Sequence, residues 1–241
     1  MRHPSTQNDE MPSIPASNGH KFIAVVFDLD GTLIDSAPDI HLALNRTLAE
    51  AGRDGVTLDA VKRMVGDGAE RLVESGFAAT GEAVAGAALR RAYERFLAHY
   101  EGPDAARLTR PYPGVVETLE RLLGDGLRLG ICTNKPARPT ADVLRQLDLA
   151  KYFRAVVTPE HVAAHKPNPA HLLAVLSRLG AAQNESVMVG DNANDVATAR
   201  GAGVPVIAVS YGYPRMSPEA LGADLLIDRM ADLPDALHRL S

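Results

Sequence analysis

Four short stretches of the chain concentrate side chains that can act on an anion. The first is Asp28-Leu29-Asp30-Gly31-Thr32. Its carboxylates are two positions apart, so on an extended backbone they point to one side. The second is Thr133-Asn134-Lys135, the third is Lys166 followed by Pro167, and the fourth runs from Gly190 through Asp191, Asn192, Ala193 and Asn194 to Asp195. Two carboxylates from the first stretch and a third from Asp191 make a hard oxygen site that suits Mg²⁺. Such a cation relieves carboxylate repulsion and lets an Asp act as nucleophile. Thr133 and Asn134 offer hydroxyl and amide donors to an anion, and Lys166 adds charge for phosphate oxygens. Together these parts describe phosphoryl transfer through an aspartyl-phosphate. Each also has a plainer reading when taken alone. Asp30-Gly31 is a common turn, Asp191 and Asn192 can cap a helix beginning near Ala193, and Lys166 beside a proline can be a solvated loop charge.

The elements around these stretches favour the joint reading. Phe22–Phe27 is a continuous apolar run, as expected of a strand buried on both faces of a parallel sheet. Leu127–Cys132, Arg154–Thr158, Ser186–Val189 and Pro205–Val209 have the same look. Between them, Val115, Val116, Leu119, Leu122 and Leu123 mark a helix face ending near Gly124. Leu172, Leu173, Val175, Leu176 and Leu179 mark another ending at Gly180. Strand and helix alternate over residues 111–210, which predicts a doubly wound, mostly parallel, Rossmann-like α/β core. Residues 37–108 break the alternation. Ile40, Ala43, Leu44 and Leu48, then Val61, Met64, Val65, Leu72 and Val73, then Tyr93, Phe96, Leu97 and Tyr100 keep helical spacing with no convincing strand. The expected organisation is a core of residues 21–36 and 109–241 with an inserted helical cap at 37–108. In such a sheet, ligands bind beyond the C-terminal ends of the strands. Three of the polar stretches directly follow a predicted strand, and Lys166 lies in the long loop past another.

Composition sets the outer bounds. The chain has 241 residues, a formal net charge of −5, 46% hydrophobic and 23% charged residues, and one cysteine. Those values describe a globular chain, and the single cysteine excludes an intramolecular disulfide or a multi-cysteine zinc module. No apolar run reaches membrane-spanning length, and no basic stripe suggests a nucleic-acid partner. Residues 1–20 are polar and rich in Pro, Ser and Asn, without the apolar middle of an export signal, so a disordered tail and a cytoplasmic location are expected, with Met1 or Met11 as the start. Cys132 reads as a buried inert thiol, and His161 with His165 as part of a polar loop, because the Glu of a zinc-binding HExxH is absent. The aromatic residues of 93–100 read as cap core, with a dimer contact as the alternative; monomer and homodimer both stay open.

Phe27-Asp28-Leu29-Asp30-Gly31-Thr32-Leu33 resembles the first motif of the haloacid dehalogenase superfamily. Thr133, Lys166, and Gly190-Asp191 with Asp195 match its other three motifs in order. The resemblance covers residues 21–241. Within the superfamily, Phe27–Ile40, Val61–Val73 and Tyr211-Gly212-Tyr213 are most similar to the bacterial phosphoglycolate phosphatases. His171 departs from that group, which often has Pro there. The resemblance implies a Mg²⁺-dependent phosphatase. Asp28 would attack phosphorus and ligate Mg²⁺. Asp30 would protonate the leaving oxygen and then activate water, its backbone carbonyl serving as a metal ligand. Asp191 would complete the protein ligands. Thr133, Asn134 and Lys166 would hold the phosphate, and Asp195 would support Lys166 or a metal-bound water. Gly66, Asp67, Gly68 and Arg71 of the cap would face the substrate's other end, with Arg71 able to pair with a carboxylate or simply to be a surface charge.

The substrate this implies is 2-phosphoglycolate, cleaved to glycolate and phosphate. A sugar phosphate, a nucleotide or pyrophosphate is the alternative, and a phosphosugar mutase would share the phosphoenzyme. A signalling receiver domain also uses Asp, Thr and Lys, but its phosphorylated Asp follows a later strand and no long insert interrupts its first crossover.

Overall fold

The computed structural model describes residues 21–102, 106–213 and 215–240. The tail expected at 1–20 lies outside the described residues. The first strand, β1 (Ala24–Phe27), is central in a six-stranded parallel sheet. On one side lie β4 (Arg128–Cys132) and then β5 (Ala155–Val157). On the other lie β6 (Ser186–Gly190), β7 (Val206–Val209) and β8 (Leu225–Ile227). Phe27 is in register with Ile131 on one neighbour and with Val189 on the other, so β1, β4 and β6 end side by side. The chain runs outward from β1 in one direction and then in the other, and this reversal opens the crevice where open α/β sheets bind ligands.

Both sheet faces are covered, which explains the unbroken apolar runs. Val25 and Phe27 point into a layer formed with α5 (Val115–Gly124), α6 (Ala137–Gln146) and α9 (Leu233–Leu240). Ala24 and Val26 point into the opposite layer, formed with α7 (Pro169–Leu179) and α8 (Ala193–Ala202). Asn168 caps α7 by accepting the Ala170 N–H, and the helix stops at Gly180 in the left-handed conformation, as its position predicts. The doubly wound fold expected from the sequence is therefore present. Strand β8 was not expected; three apolar residues are too short to show a period.

Four helices occupy the segment after β1. They are α1 (Ala37–Glu50), α2 (Leu58–Met64), α3 (Ala69–Ala79) and α4 (Gly86–Tyr100), and they share an apolar cluster built on Leu44, Leu48, Val73, Phe77 and Phe96. The chain leaves the sheet through β2 (Ile34–Asp35) and returns through β3 (Arg110–Pro111), which pair antiparallel. Two-residue strands carry no sequence signal, and they too were missed. Among the described residues no helix is long and apolar enough to cross a membrane.

Two buried side chains fasten this double crossing. Asp39, in the first turn of α1, accepts the backbone N–H groups of Leu108 and Thr109 and the Thr109 hydroxyl at 2.6–3.1 Å. Tyr213, from the loop after β7, accepts the N–H groups of Ser36 and Ala37 at 2.7 and 2.9 Å and donates to Asp35. It therefore satisfies the free donors at the start of α1 that no local side chain caps. Asp39→Ala leaves the two buried Thr109 donors and the part-buried Leu108 N–H without an acceptor. It should lower the unfolding free energy by about 2–4 kcal/mol, read from urea denaturation.

Candidate active site

The site is built where β1, β4 and β6 end. Asp28 directly follows β1, and its N–H is held by the Val189 carbonyl at 2.9 Å. Its carboxylate faces Lys166, whose ammonium lies 2.7 Å from Asp28 Oδ1 and 2.7 Å from Asp195 Oδ1. All three side chains are buried. Burial raises the Asp28 pKa well above the usual carboxylate range; Lys166 opposes this, and repulsion from Asp195 and Asp191 adds to it. Burial also works against the charge on Lys166, but Asp195 and Asp28 more than offset it and keep the ammonium protonated.

Asp191 sits at the end of β6. Thr32 donates to its Oδ1 at 3.1 Å and the Tyr213 N–H to its Oδ2 at 2.9 Å. Burial and the neighbouring Asp195 push its pKa up to about 7. Asp195 is on the first turn of α8, where its Oδ2 accepts the N–H groups of Asp191 and Asn192. Asn192 caps the same helix by accepting the Asn194 N–H. The capping and functional readings of this motif are thus divided between neighbours: Asn192 serves the helix, and Asp191 is left to the site. Two glycines make room for the cluster. A Cβ on Gly31, whose φ is +93°, would collide with the Asp191 carboxylate, and one on Gly190 would collide with Asp195.

Carboxylate oxygens of Asp28, Asp191 and Asp195 lie within 4.8 Å of one another. Lys166 is the one ammonium bonded to this trio among the described residues. Three buried carboxylates against one ammonium leave a deficit of positive charge, and an all-oxygen donor set fits a hard divalent cation. Among the described residues, Asp195 is matched by the Lys166 ammonium on one oxygen and two backbone N–H groups on the other, whereas Asp191 has one neutral donor on each oxygen and Asp28 has only the shared ammonium, so Asp28 and Asp191 are the better placed to hold the ion.

The side chain of Asp30 belongs to a different group. Ser36 donates to its Oδ1 at 2.5 Å, and Lys135 lies 2.9 Å from Oδ1 and 3.2 Å from Oδ2. Lys135 also hydrogen-bonds the Tyr100 hydroxyl from α4. Burial would discharge Lys135, but Asp30 and Tyr100 reverse that and hold it charged. Burial pushes the Tyr100 phenol up to about 12. The sequence offered Lys135 no role and placed Tyr100 in the cap core. Their opposition across the crevice is a tertiary fact with no local signature.

Thr133 accepts the Lys135 N–H at 3.2 Å, which leaves its hydroxyl proton for an anion. Asn134 differs from expectation. Its side-chain amide donates to the carbonyls of Gly66 and Lys166 at 2.9 and 3.0 Å, and its Oδ1 is buried without a partner. The Asn134 amide is thus occupied in tying the helical segment to the core, and phosphate contact would fall to other donors. Gly66 and Gly68 line an inner cavity of about 40 Å³ with Asp28, Asp30, Thr133 and Lys135. Asp67 is turned to the core, where Asn194 donates to it at 2.6 Å and Arg215 pairs with it at 2.5 Å. Arg71 is 71% exposed, pairs with Glu74 at 2.6 Å, and borders an outer cleft rather than the inner cavity. Cys132 is buried, as expected, and burial pushes its thiol pKa up. His161 and His165 make local bonds to Thr158 and to the Lys166 carbonyl, and neither joins the acidic cluster.

The residue that departs from the resembled group, His171, supports the Lys166 loop. Its Nδ1 accepts the Lys166 N–H at 3.1 Å, so Nε2 carries the proton and donates to the Val157 carbonyl at 3.1 Å. Burial and the nearby Lys166 lower its pKa to about 4. The unfolded chain therefore takes up this proton first, and the stability linked to His171 is lost as pH falls from about 6.5 toward 4. Wild type should lose about 2 kcal/mol more than His171→Asn between pH 7 and pH 5. Parallel urea titrations of both proteins check this, because the shared carboxylates cancel in the difference.

Comparison with known proteins follows the same lines. The family model for haloacid dehalogenase-like hydrolases matches residues 25–209. A phosphoglycolate phosphatase of Rhodospirillum rubrum is 46% identical over 218 residues, covering 89% of this chain and 90% of the relative. One from Agrobacterium fabrum is 39% identical over 212 residues, covering 88% and 91%. The crystal structure of a predicted phosphoglycolate phosphatase from Haemophilus somnus superposes with a TM-score of 0.84 at 27% identity, covering 90% of this chain and 98% of that one. With its motifs gathered at the ends of β1, β4 and β6 and its likeness running nearly end to end, the chain belongs to the haloacid dehalogenase-like hydrolases.

Proposed function

We propose that this phosphoric monoester hydrolase cleaves 2-phosphoglycolate to glycolate and phosphate, with Mg²⁺ held by Asp28 and Asp191. The observation that carries the reading is the placement of two buried carboxylates with different neighbours. Asp28 faces Lys166 and the acidic cluster, whereas Asp30 faces Ser36 and Lys135. Different surroundings suit them to different roles, one as nucleophile and one as acid and base.

In the first step an Asp28 oxygen attacks phosphorus and the bond to the ester oxygen breaks. That oxygen takes its proton from Asp30. In the second step water attacks the phosphorus of the aspartyl-phosphate, gives a proton to Asp30, and frees Asp28 and phosphate. Lys166 and the Thr133 hydroxyl meet the phosphoryl oxygens as charge builds on them. Asp195 keeps Lys166 in place rather than touching substrate. A divalent cation, when bound, supplies positive charge to the phosphoryl group and lowers repulsion between it and the Asp28 carboxylate.

Residues 37–108 act as the cap and residues 21–36 and 109–241 as the catalytic core. The cap side of the inner cavity is walled by Ile40, Val65, Ala69, Leu72 and Phe96. Apart from the Tyr100 hydroxyl, the side chains on that wall offer no partners for sugar hydroxyls or a nucleobase, which favours a small leaving group. The closed wall also keeps bulk water from the phosphoenzyme. The phosphoglycolate phosphatase names of the Rhodospirillum and Agrobacterium relatives support the same substrate.

Phosphate release from a panel of esters tests the reading. 2-Phosphoglycolate should lead sugar phosphates, nucleotides and pyrophosphate by at least about tenfold in kcat/KM. EDTA should abolish release and Mg²⁺ restore it, and Asp28→Asn should cost at least about 10³-fold. Another ester in the lead, with the same metal and Asp28 dependence, overturns the substrate and leaves the chemistry standing.

A further inference from the structure

A substrate with a carboxylate two bonds from its ester oxygen presents a second anion to the cavity. When the ester oxygen is at Asp30, that carboxylate is carried to within a hydrogen bond or so of the same spot. Some cation must meet it there, since the apolar cap wall cannot. Arg71 lines the outer cleft and not the inner cavity, and is drawn into the exposed pair with Glu74. Lys166 is held between Asp28 and Asp195 and serves the phosphoryl oxygens. Arg215 is drawn to Asp67 and to the carbonyls of Met64 and Val65.

The remaining cation is Lys135, which lines the inner cavity. Its side chain is 2% exposed and its ammonium is 2.9 Å from Asp30 Oδ1. Tyr100 gives it a hydroxyl partner and a ring whose centroid is 4.5 Å away. An ammonium has three protons. Among the described residues both Asp30 oxygens and the Tyr100 hydroxyl engage it, so a ligand carboxylate would take over the longest of these contacts, the 3.2 Å one to Asp30 Oδ2. Burying a lysine is costly, and the transfer of phosphorus to Asp28 does not call for a charge at this place. A ligand carboxylate does.

We propose that Lys135, with Tyr100 beside it, binds the substrate carboxylate and makes the enzyme selective for phosphate esters of α-hydroxy acids. This rests on the 2-phosphoglycolate reading and adds to it the residues that enforce it. Lys135 comes from the loop after β4 and Tyr100 from the cap helix α4, so the carboxylate is gripped only when both parts of the chain are together. Selectivity is thereby tied to the same closure that excludes water.

The test compares 2-phosphoglycolate with ethyl phosphate, which has a methyl group in place of the carboxylate. Wild type, Lys135→Met and Tyr100→Phe are assayed as full-length, Mg²⁺-loaded enzyme. Lys135→Met also strips Asp30 of its ion-pair partner and should slow both esters, but kcat/KM for 2-phosphoglycolate should fall at least about tenfold further than that for ethyl phosphate, the excess lying chiefly in KM. Tyr100→Phe should reduce the ratio of the two by about threefold or more. Equal losses on both esters in Lys135→Met overturn the proposal, because the lysine then acts through Asp30 and not on the carboxylate. If Lys135→Met does not fold, Tyr100→Phe decides alone, and a wild-type ratio in it overturns the proposal. A wild type that cleaves both esters equally overturns this inference together with the substrate reading. A selective wild type whose ratio survives Lys135→Met overturns this inference only.

Discussion

The ammonium of Lys166, bridging Asp28 and Asp195 at 2.7 Å each, is the interaction on which the rest of the site depends. Without it, Asp28, Asp191 and Asp195 would be three carboxylates crowded out of water with no counter-charge among the described residues. Such a group would protonate or come apart. Much of the local architecture serves this bridge. His171 pins the backbone of Lys166, and the N–H groups of Asp191 and Asn192, just before α8, hold Asp195. Gly31 and Gly190 leave the space the carboxylates need. The charge that remains unmatched is what gives a divalent cation its place.

A second ammonium, Lys135, repeats the pattern on the other side of the cavity. It pairs with Asp30 much as Lys166 pairs with Asp28, but its further partner is a cap tyrosine instead of a core aspartate. The two aspartates of one extended stretch are thus given separate electrostatic surroundings. One is embedded in the core, and the other is at the boundary where the cap arrives. That difference in surroundings separates the protonation behaviour of identical side chains two positions apart, which is what the proposed division of roles requires.

Two sets of hydrogen bonds among those that join the helical segment to the sheet differ in burial. Asp39 and Tyr213 secure the double crossing at β2 and β3. Asn134, Asn194 and Arg215 hold the loop of Gly66 and Asp67 from the core side. The first set is buried and the second is partly exposed. Local opening is therefore easier at the loop than at the crossing.

The sequence by itself determined the sheet strands that are long enough to show a pattern, the helix end marked by Gly180, and the identity of the polar residues after each strand. Those features are local, since burial on both faces writes a continuous apolar run, and ligand-facing positions follow directly where a strand stops. Tertiary structure alone decided the pairing of β2 with β3, the short strand β8, the tether formed by Asp67, and the partnership of Lys135 with Asp30 and Tyr100. Each of these depends on groups far apart in the chain; Asp30 and Lys135 are separated by 105 positions. A lysine after a strand reads the same whether it faces solvent or a buried carboxylate. Only the packing of α4 over the end of β4 removes the water and makes that charge specific.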